Sequence, residues 1–220
     1  MCSLSPHAPA SERRPEIVRR LKSAYPDARC TLDHTTPFEL LVAAMLATQC
    51  ADERVNRVTP ALFARYPTAT ALAEAERGEL EELIRPAGHS RQKSRFLRGT
   101  ARIIVQEHDG EVPADMGALL KMPGLSRNTA SLVLGVAFGL AEGIVVDAHV
   151  KRLAKRLKLT RKSETARVER DLMALVPRED WVDFAHLLVF HGKKACKARK
   201  PDCAHCVLND LCPWQKSRKD

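Results

Sequence analysis

Several absences narrow the chain before any motif is read. No apolar run approaches the roughly 20 residues that cross a bilayer, so no membrane partner is expected. The opening Met-Cys-Ser-Leu-Ser-Pro-His-Ala-Pro-Ala lacks the charged start and apolar middle of a secretory signal. These two gaps predict a cytoplasmic protein, with Met1 to Ala10 as a loose, proline-containing tail. Strand-like alternation is nearly missing as well, and Ile144-Val145-Val146 is the one short β-branched run. Neither an internal repeat nor a low-complexity linker is found, so any two domains are expected to be closely apposed.

What is present fits a folded, soluble, helical chain. Apolar residues make up 45% and charged residues 29% of the 220 positions, the balance of a globular protein with a real core. Lys and Arg number 36 against 27 Asp and Glu, a formal charge of +9. Such an excess favours a polyanionic partner, nucleic acid above all, although basic surfaces also serve solubility.

Apolar residues recur at helical spacing along the whole chain. Ile17, Val18 and Leu21 mark a helix over 11–24 that ends at Tyr25-Pro26-Asp27. Thr36-Pro37-Phe38-Glu39 combines an N-cap, a proline at the first helical position and a carboxylate three residues after the cap. The helix it starts runs to Ala47-Thr48-Gln49-Cys50, and another begins near Asp52. Short helices near 69–75 and 79–84 lead to a break at Pro86-Ala87-Gly88-His89. A longer helix over 91–108 turns Phe96, Leu97, Ile103 and Ile104 inward and several arginines outward. Beyond Asp147, helices are expected at 149–159, 164–176 and 181–191. The fold class is all-α.

The stretch from Leu119 to Val150 is the most informative. A helix runs into Met122-Pro123-Gly124-Leu125, breaks, and restarts near Arg127. A tight glycine-bearing turn that opens a helix N-terminus outward suits a phosphate, through backbone N–H groups and the helix dipole. The spacing alone fits an ordinary helical hairpin equally well.

The cysteines are seven, an odd number, and four of them, Cys196, Cys203, Cys206 and Cys212, form a Cys-x6-Cys-x2-Cys-x5-Cys array. In a reducing compartment this favours a metal site over disulfides. Four thiolates on one loop can hold tetrahedral zinc or a cubane iron–sulfur cluster. With only one Cys-x2-Cys knuckle the spacing leans to the cluster and leaves zinc open. Lys193, Lys194, Lys197, Arg199 and Lys200 surround the array, with no acidic residue before Asp202. A rigid basic loop of this kind, together with the 91–102 face, is expected to meet phosphates.

The hairpin, an Asp some twenty residues later and the terminal cysteine array occur in one order. Together they resemble the endonuclease III family of base-excision DNA glycosylases across nearly the whole chain. The resemblance implies a six-helix barrel domain carrying the helix-hairpin-helix at about 30–141. It also implies a [4Fe-4S] cluster domain made from 1–29 and 142–220, ligated by the four C-terminal cysteines, with a DNA cleft between. Asp147, in Val-Val-Asp-Ala-His, matches the family's catalytic aspartate, although an Asp just before a helix is commonly an N-cap. Gln49 matches a residue that fills the space left by a flipped base, and His89 lies where the family inserts a residue into the duplex. Pro123, Gly124, Ser126, Arg127 and Thr129 fall in the hairpin, and His149 follows the aspartate; all are expected DNA contacts. The implied partner is damaged or mismatched double-stranded DNA, bound by a monomer that is nucleoid-associated while bound.

Two positions depart from the family. Where its strand-cleaving members carry a Schiff-base lysine, this chain has Asn128, in Ser-Arg-Asn-Thr-Ala; an amide cannot form that imine. Lys121, across the turn, is a poor substitute. The usual second hairpin glycine is Ser126, which is expected to distort the turn or lower its stability, its hydroxyl compensating in part. The resemblance therefore implies a monofunctional glycosylase acting on oxidised or mismatched pyrimidines. The alternatives are a bifunctional glycosylase and abasic-site lyase using another amine, and a catalytically weak damage-binding protein. An adenine-excising activity is disfavoured by Ala43, where that enzyme carries an essential Glu. A zinc transcription factor is disfavoured because no base-reading recognition helix is found.

Overall fold

The computed structural model describes residues 5–216, and among them there are helices and turns but no strand. Ile144-Val145-Val146 is not part of a strand. The chain separates into two compact units, Thr31–Glu142 and a second built from Met1–Cys30 with Gly143–Asp220. None of the described helices is long and apolar enough to cross a membrane.

The first unit opens with α2 (Pro37–Ala47), α1 (Ala10–Ala24) belonging to the other unit. Thr36 caps α2 by accepting from Glu39 N at 3.1 Å, while the Glu39 carboxylate reaches back to Thr35 N and Oγ1. The reciprocal cap is thus spread over two threonines instead of one. Then come α3 (Asp52–Arg65), α4 (Ala69–Ala73), α5 (Arg77–Leu83), a 3-10 turn at Arg85–Ala87, α6 (Ser90–Glu107), α7 (Met116–Lys121) and α8 (Arg127–Phe138). Helix α6 is the spine: α4, α5 and α2 pack on it, while α8 lies against α2 and α7. Leu40, Leu41, Leu46, Val55, Leu80, Ile84, Leu97, Ile104, Val133 and Leu134 are essentially inaccessible. At about 25 cal/mol per Å² of apolar surface, burial on this scale drives the folding of the unit.

The second unit joins the N-terminal helix to the C-terminal part of the chain. Helix α1 (Ala10–Ala24) packs on α10 (Thr165–Leu175) and α11 (Trp181–Lys194), and α9 (Ala148–Arg156) packs on both of those. Their shared core includes Ile17, Leu21, Ile144, Val150, Leu153, Leu172, Phe184, Leu188, Leu208 and Leu211. A 3-10 turn at Asn209–Leu211 and the short α12 (Pro213–Lys216) complete it.

The loose-tail expectation for Met1–Ala10 needs correction over its described part, Met1 to Leu4 lying outside the described residues. Pro6 is buried, Ala8 N bonds Ser5 O at 3.0 Å, and α1 already starts at Ala10. The cause is Arg13, whose side chain is buried and donates to the carbonyls of Ala8, Leu157 and Leu211 at 2.8, 2.9 and 3.2 Å. A buried guanidinium needs such acceptors, and it ties the N-terminal segment down in meeting that need.

Candidate functional site

In the Thr31–Glu142 unit, the hairpin turn is seated on α6. Gly124 has φ +80°, and a Cβ there would lie 2.5 Å from the Phe96 ring and 2.9 Å from its Cβ. Gly99 on α6 is likewise closed by Pro123, and Thr100 Oγ1 donates to Pro123 O at 3.1 Å. Glycine is required twice, once for the left-handed turn and once for close approach. The exposed Ser126 N-caps α8: its Oγ accepts from Thr129 N at 3.2 Å and lies 3.0 Å from Thr129 Oγ1. The distortion expected of Ser126 is not found, because its backbone is extended, at φ −96° and ψ 162°. The left-handed strain of the turn falls on Gly124, and a serine at the cap is a preferred residue. Arg127 is exposed and donates to Glu142 O at 3.1 Å; Asn128, one position on, is half-buried.

Gln49 and His89 occupy two further turns of the same unit. Both are exposed and both have left-handed backbone, at φ 56° and 51°. Together with Met45, Thr48, Gln92, Lys93, Phe96 and Gly124 they line one cavity of about 160 Å³. Two residues that are 40 positions apart in sequence thus share a rim with the hairpin glycine. Beside it a shallow hollow at His89 is lined by Arg77, Arg91, Gln92 and Arg95.

Lys93 stands on the same helix as the outward-facing arginines but does not share their face. It is 7% exposed, and its Nζ donates to Leu46 O at 2.7 Å and Ala87 O at 2.8 Å. Burial lowers its pKa. The sequence did carry the signal: Lys93 stands four residues before Leu97, on the same stripe that buries Ile104.

In the other unit, Asp147 N-caps α9, its Oδ1 accepting from Val150 N at 2.7 Å. Two residues on, His149 Nδ1 lies 3.1 Å from Arg152 Nη2. A Cβ on Gly192 would lie 2.7 Å from that imidazole, so His149 is held where α9 crosses α11. Lys194 is exposed beside the Tyr25 and Phe190 rings, Lys193 is half-buried, and Lys197 is fully on the surface.

The four C-terminal cysteines line one pocket with Leu153, Leu157, Leu208, Pro201 and Trp214. None of the described cysteines is in a disulfide. Tetrahedral zinc would draw its thiolates to about 2.3 Å from one centre; a wider iron–sulfide cube takes each cysteine on its own iron. Four thiols around one pocket are a donor set that fits a cluster. Arg156 Nη1 donates to Cys196 Sγ at 3.2 Å and its guanidinium stacks 4.1 Å from the Trp214 ring. Leu208 N donates to Cys206 Sγ at 3.4 Å. Tyr25 Oη and His191 Nδ1 are 2.9 Å apart, and His191 Nε2 faces Cys206 Sγ at 3.5 Å. Burial holds the imidazole down at about 4 and pushes the Cys206 thiol up to about 11. The bare Cys206 thiol is thus protonated, and iron binding must displace that proton. Arg156, Trp214 and His191 were not foreseen, since only folding brings α9, α11 and the loop together.

Comparison with known proteins agrees with this arrangement. Residues 42–178 match the HhH-GPD superfamily of base excision DNA repair proteins, and residues 196–212 match the iron–sulfur binding domain of endonuclease III. Endonuclease III of Synechocystis sp. is 52% identical over 206 residues, 94% of each chain. A non-covalent endonuclease III–DNA complex superposes with a TM-score of 0.90 at 38% identity, covering 95% of this chain and 98% of that one. A trapped endonuclease III–DNA covalent intermediate, an estranged-adenine complex, matches equally well, again at 0.90 and 38%, over 96% and 99%. By sequence match, fold and cysteine site alike, the chain belongs to the endonuclease III family of helix-hairpin-helix DNA glycosylases, which carry a [4Fe-4S] cluster.

Proposed function

We propose that the protein is a monofunctional DNA N-glycosylase that removes oxidised or mismatched pyrimidines from duplex DNA and leaves an abasic site. The observation that carries this reading is the pairing of a retained carboxylate, Asp147, with an amide, Asn128, at the position of the lyase amine. Asp147 is anchored by its bond to Val150 N. Its carboxylate faces the task of stabilising positive charge at the sugar C1′ and taking a proton from the attacking water. The C1′–N bond breaks with its electron pair leaving on the base, the water oxygen bonds C1′, and the departing base is protonated. With Asn128 no nitrogen nucleophile is supplied there, so no imine forms and the strand stays intact.

Binding is assigned to the chain's own donors and cations. Pro123, Gly124, Ser126, Arg127 and Thr129 cradle a phosphate at the start of α8. Gln49 and His89 enter the duplex, which is supported by their shared cavity rim and exposed left-handed turns. Arg77, Arg91 and Arg95, with Lys193, Lys194 and Lys197, meet backbone phosphates. Cys196, Cys203, Cys206 and Cys212 would hold the cluster, which when bound supplies a rigid cross-link of the basic loop. The protein acts as a monomer in the cytoplasm, on the nucleoid.

Single-turnover assays test the chemistry on duplexes carrying an oxidised pyrimidine, a mismatched thymine or an abasic site, with and without alkali and with borohydride. Base release with strand breaks only after alkali, and no trapped adduct, is the expected result. Breaks without alkali together with a borohydride-trapped complex would overturn the monofunctional reading. Tight binding without base release on any substrate would overturn the enzymatic one.

A further inference from the structure

Lys93 is a buried cation for which the proposed reaction has no use. Its ammonium spans two element ends: Leu46 O lies in the last turn of α2, three residues before Gln49, and Ala87 O closes the 3-10 turn two residues before His89. Carbonyls at helix ends lack intrahelical donors and carry the negative end of the dipole, so a cation placed there is well matched. The two turns it grips are strained. Gln49 and His89 are non-glycine residues at positive φ, and Gly88 between the grip and His89 is at φ +73°. A left-handed non-glycine residue is strained and persists only where its surroundings hold it. Lys93 also lines the cavity whose rim carries both side chains.

We infer that Lys93 is a positioning residue: by binding Leu46 O and Ala87 O at once, it sets the two turns that present Gln49 and His89 to the duplex. This rests on the reading that Gln49 and His89 enter the DNA. Lys93 itself touches neither the substrate nor the reacting atoms. Its removal loosens two turns together and leaves the phosphate-binding surface in place. The effect therefore falls on discrimination of a lesion site and not on general DNA affinity.

Lys93→Met removes the donors while keeping the length and apolar stem of the side chain. Two readouts separate positioning from mere stability. One is the ratio of affinities for a duplex with a tetrahydrofuran abasic analogue and for the same duplex undamaged. The other is the fluorescence of 2-aminopurine placed opposite the analogue, read at saturating protein so that the folded fraction does not enter. The expected result is a preference reduced tenfold or more, a smaller fluorescence rise, and unchanged affinity for undamaged duplex. Gln49→Ala and His89→Ala are measured alongside. A preference within twofold of the native value in Lys93→Met, with loss in both alanine variants, overturns the Lys93 inference alone. Native preference in all three overturns the reading of Gln49 and His89, and the inference with it. If Lys93→Met loses its helical circular dichroism, Lys93→Gln, which keeps an amide donor, is judged by the same two readouts.

Discussion

Single side chains in this protein do two things at once, and Asp147 is the clearest case. It caps α9 through Val150 N and is assigned the reaction's charge. The two roles separate by substitution. Asp147→Asn keeps a capping oxygen, so its stability is expected within a few tenths of a kcal/mol of native, whereas Asp147→Ala loses about 1 kcal/mol. Both are expected to lower base excision at least 100-fold with duplex binding retained. Denaturant titrations and single-turnover excision read the two effects apart; an Asp147→Asn variant of native activity would remove the catalytic assignment. Ser126 teaches the complementary lesson. Read as a missing glycine, it promised strain; in the structure it is an N-cap with ordinary backbone angles. The family pattern says which residue is usual, while the torsion angle says which residue is needed.

At the scale of elements, the hairpin depends on the helix beneath it. Gly124 carries the positive φ of the turn, and α6 leaves no room for a side chain, since the added Cβ would meet both the ring and the Cβ of Phe96. Gly124→Ala is therefore expected to destabilise by about 1–3 kcal/mol, to lower the melting temperature, and to weaken duplex binding as the turn shifts off α6. Thermal melts and a binding titration check this; native values for both would show that the turn relaxes without loss. The cysteine loop depends on its neighbours in the same way. Arg156 and Leu208 N donate to its sulfurs, and Arg13 holds the carbonyl of Leu211, next to Cys212. Cys203→Ser is expected to abolish the broad visible absorbance of the cluster and to open the 196–212 loop to trypsin at Lys197 and Arg199. Retained absorbance with four irons per chain would remove Cys203 from the ligand set.

For the molecule as a whole, the excess of positive charge is the property that matters at long range. With +9 formal charges and basic groups on both units, DNA affinity is expected to fall linearly on a log–log plot against salt. The slope is about −0.9 per phosphate neutralised, so six contacts would weaken binding ~1000-fold between about 50 and 200 mM. A slope near zero would show that the cations are not at the phosphates. Undamaged and lesion duplexes should share this slope, because phosphate contacts position the protein without reading the base.

Periodicity and caps were enough to read most helices, because those signals are local: Thr36-Pro37 starts α2 and Tyr25 ends α1 in the structure as in the sequence. The all-α class, the hairpin break at Pro123-Gly124 and the crowding of four cysteines were equally legible, since each depends on residues close in the chain. Boundaries were less so, and α9 stops at Arg156, not at Leu159, because Lys158 takes up left-handed backbone. The local sequence does not say which groups Lys93 meets; the tertiary structure turned it inward onto two carbonyls. The joint rim of Gln49, His89 and Gly124, and the guard of Arg156, Trp214 and His191 around the cysteine pocket, were likewise decided only there. Local sequence sets torsion preferences and amphipathic faces, but which distant groups share a buried space is set by how those faces pack.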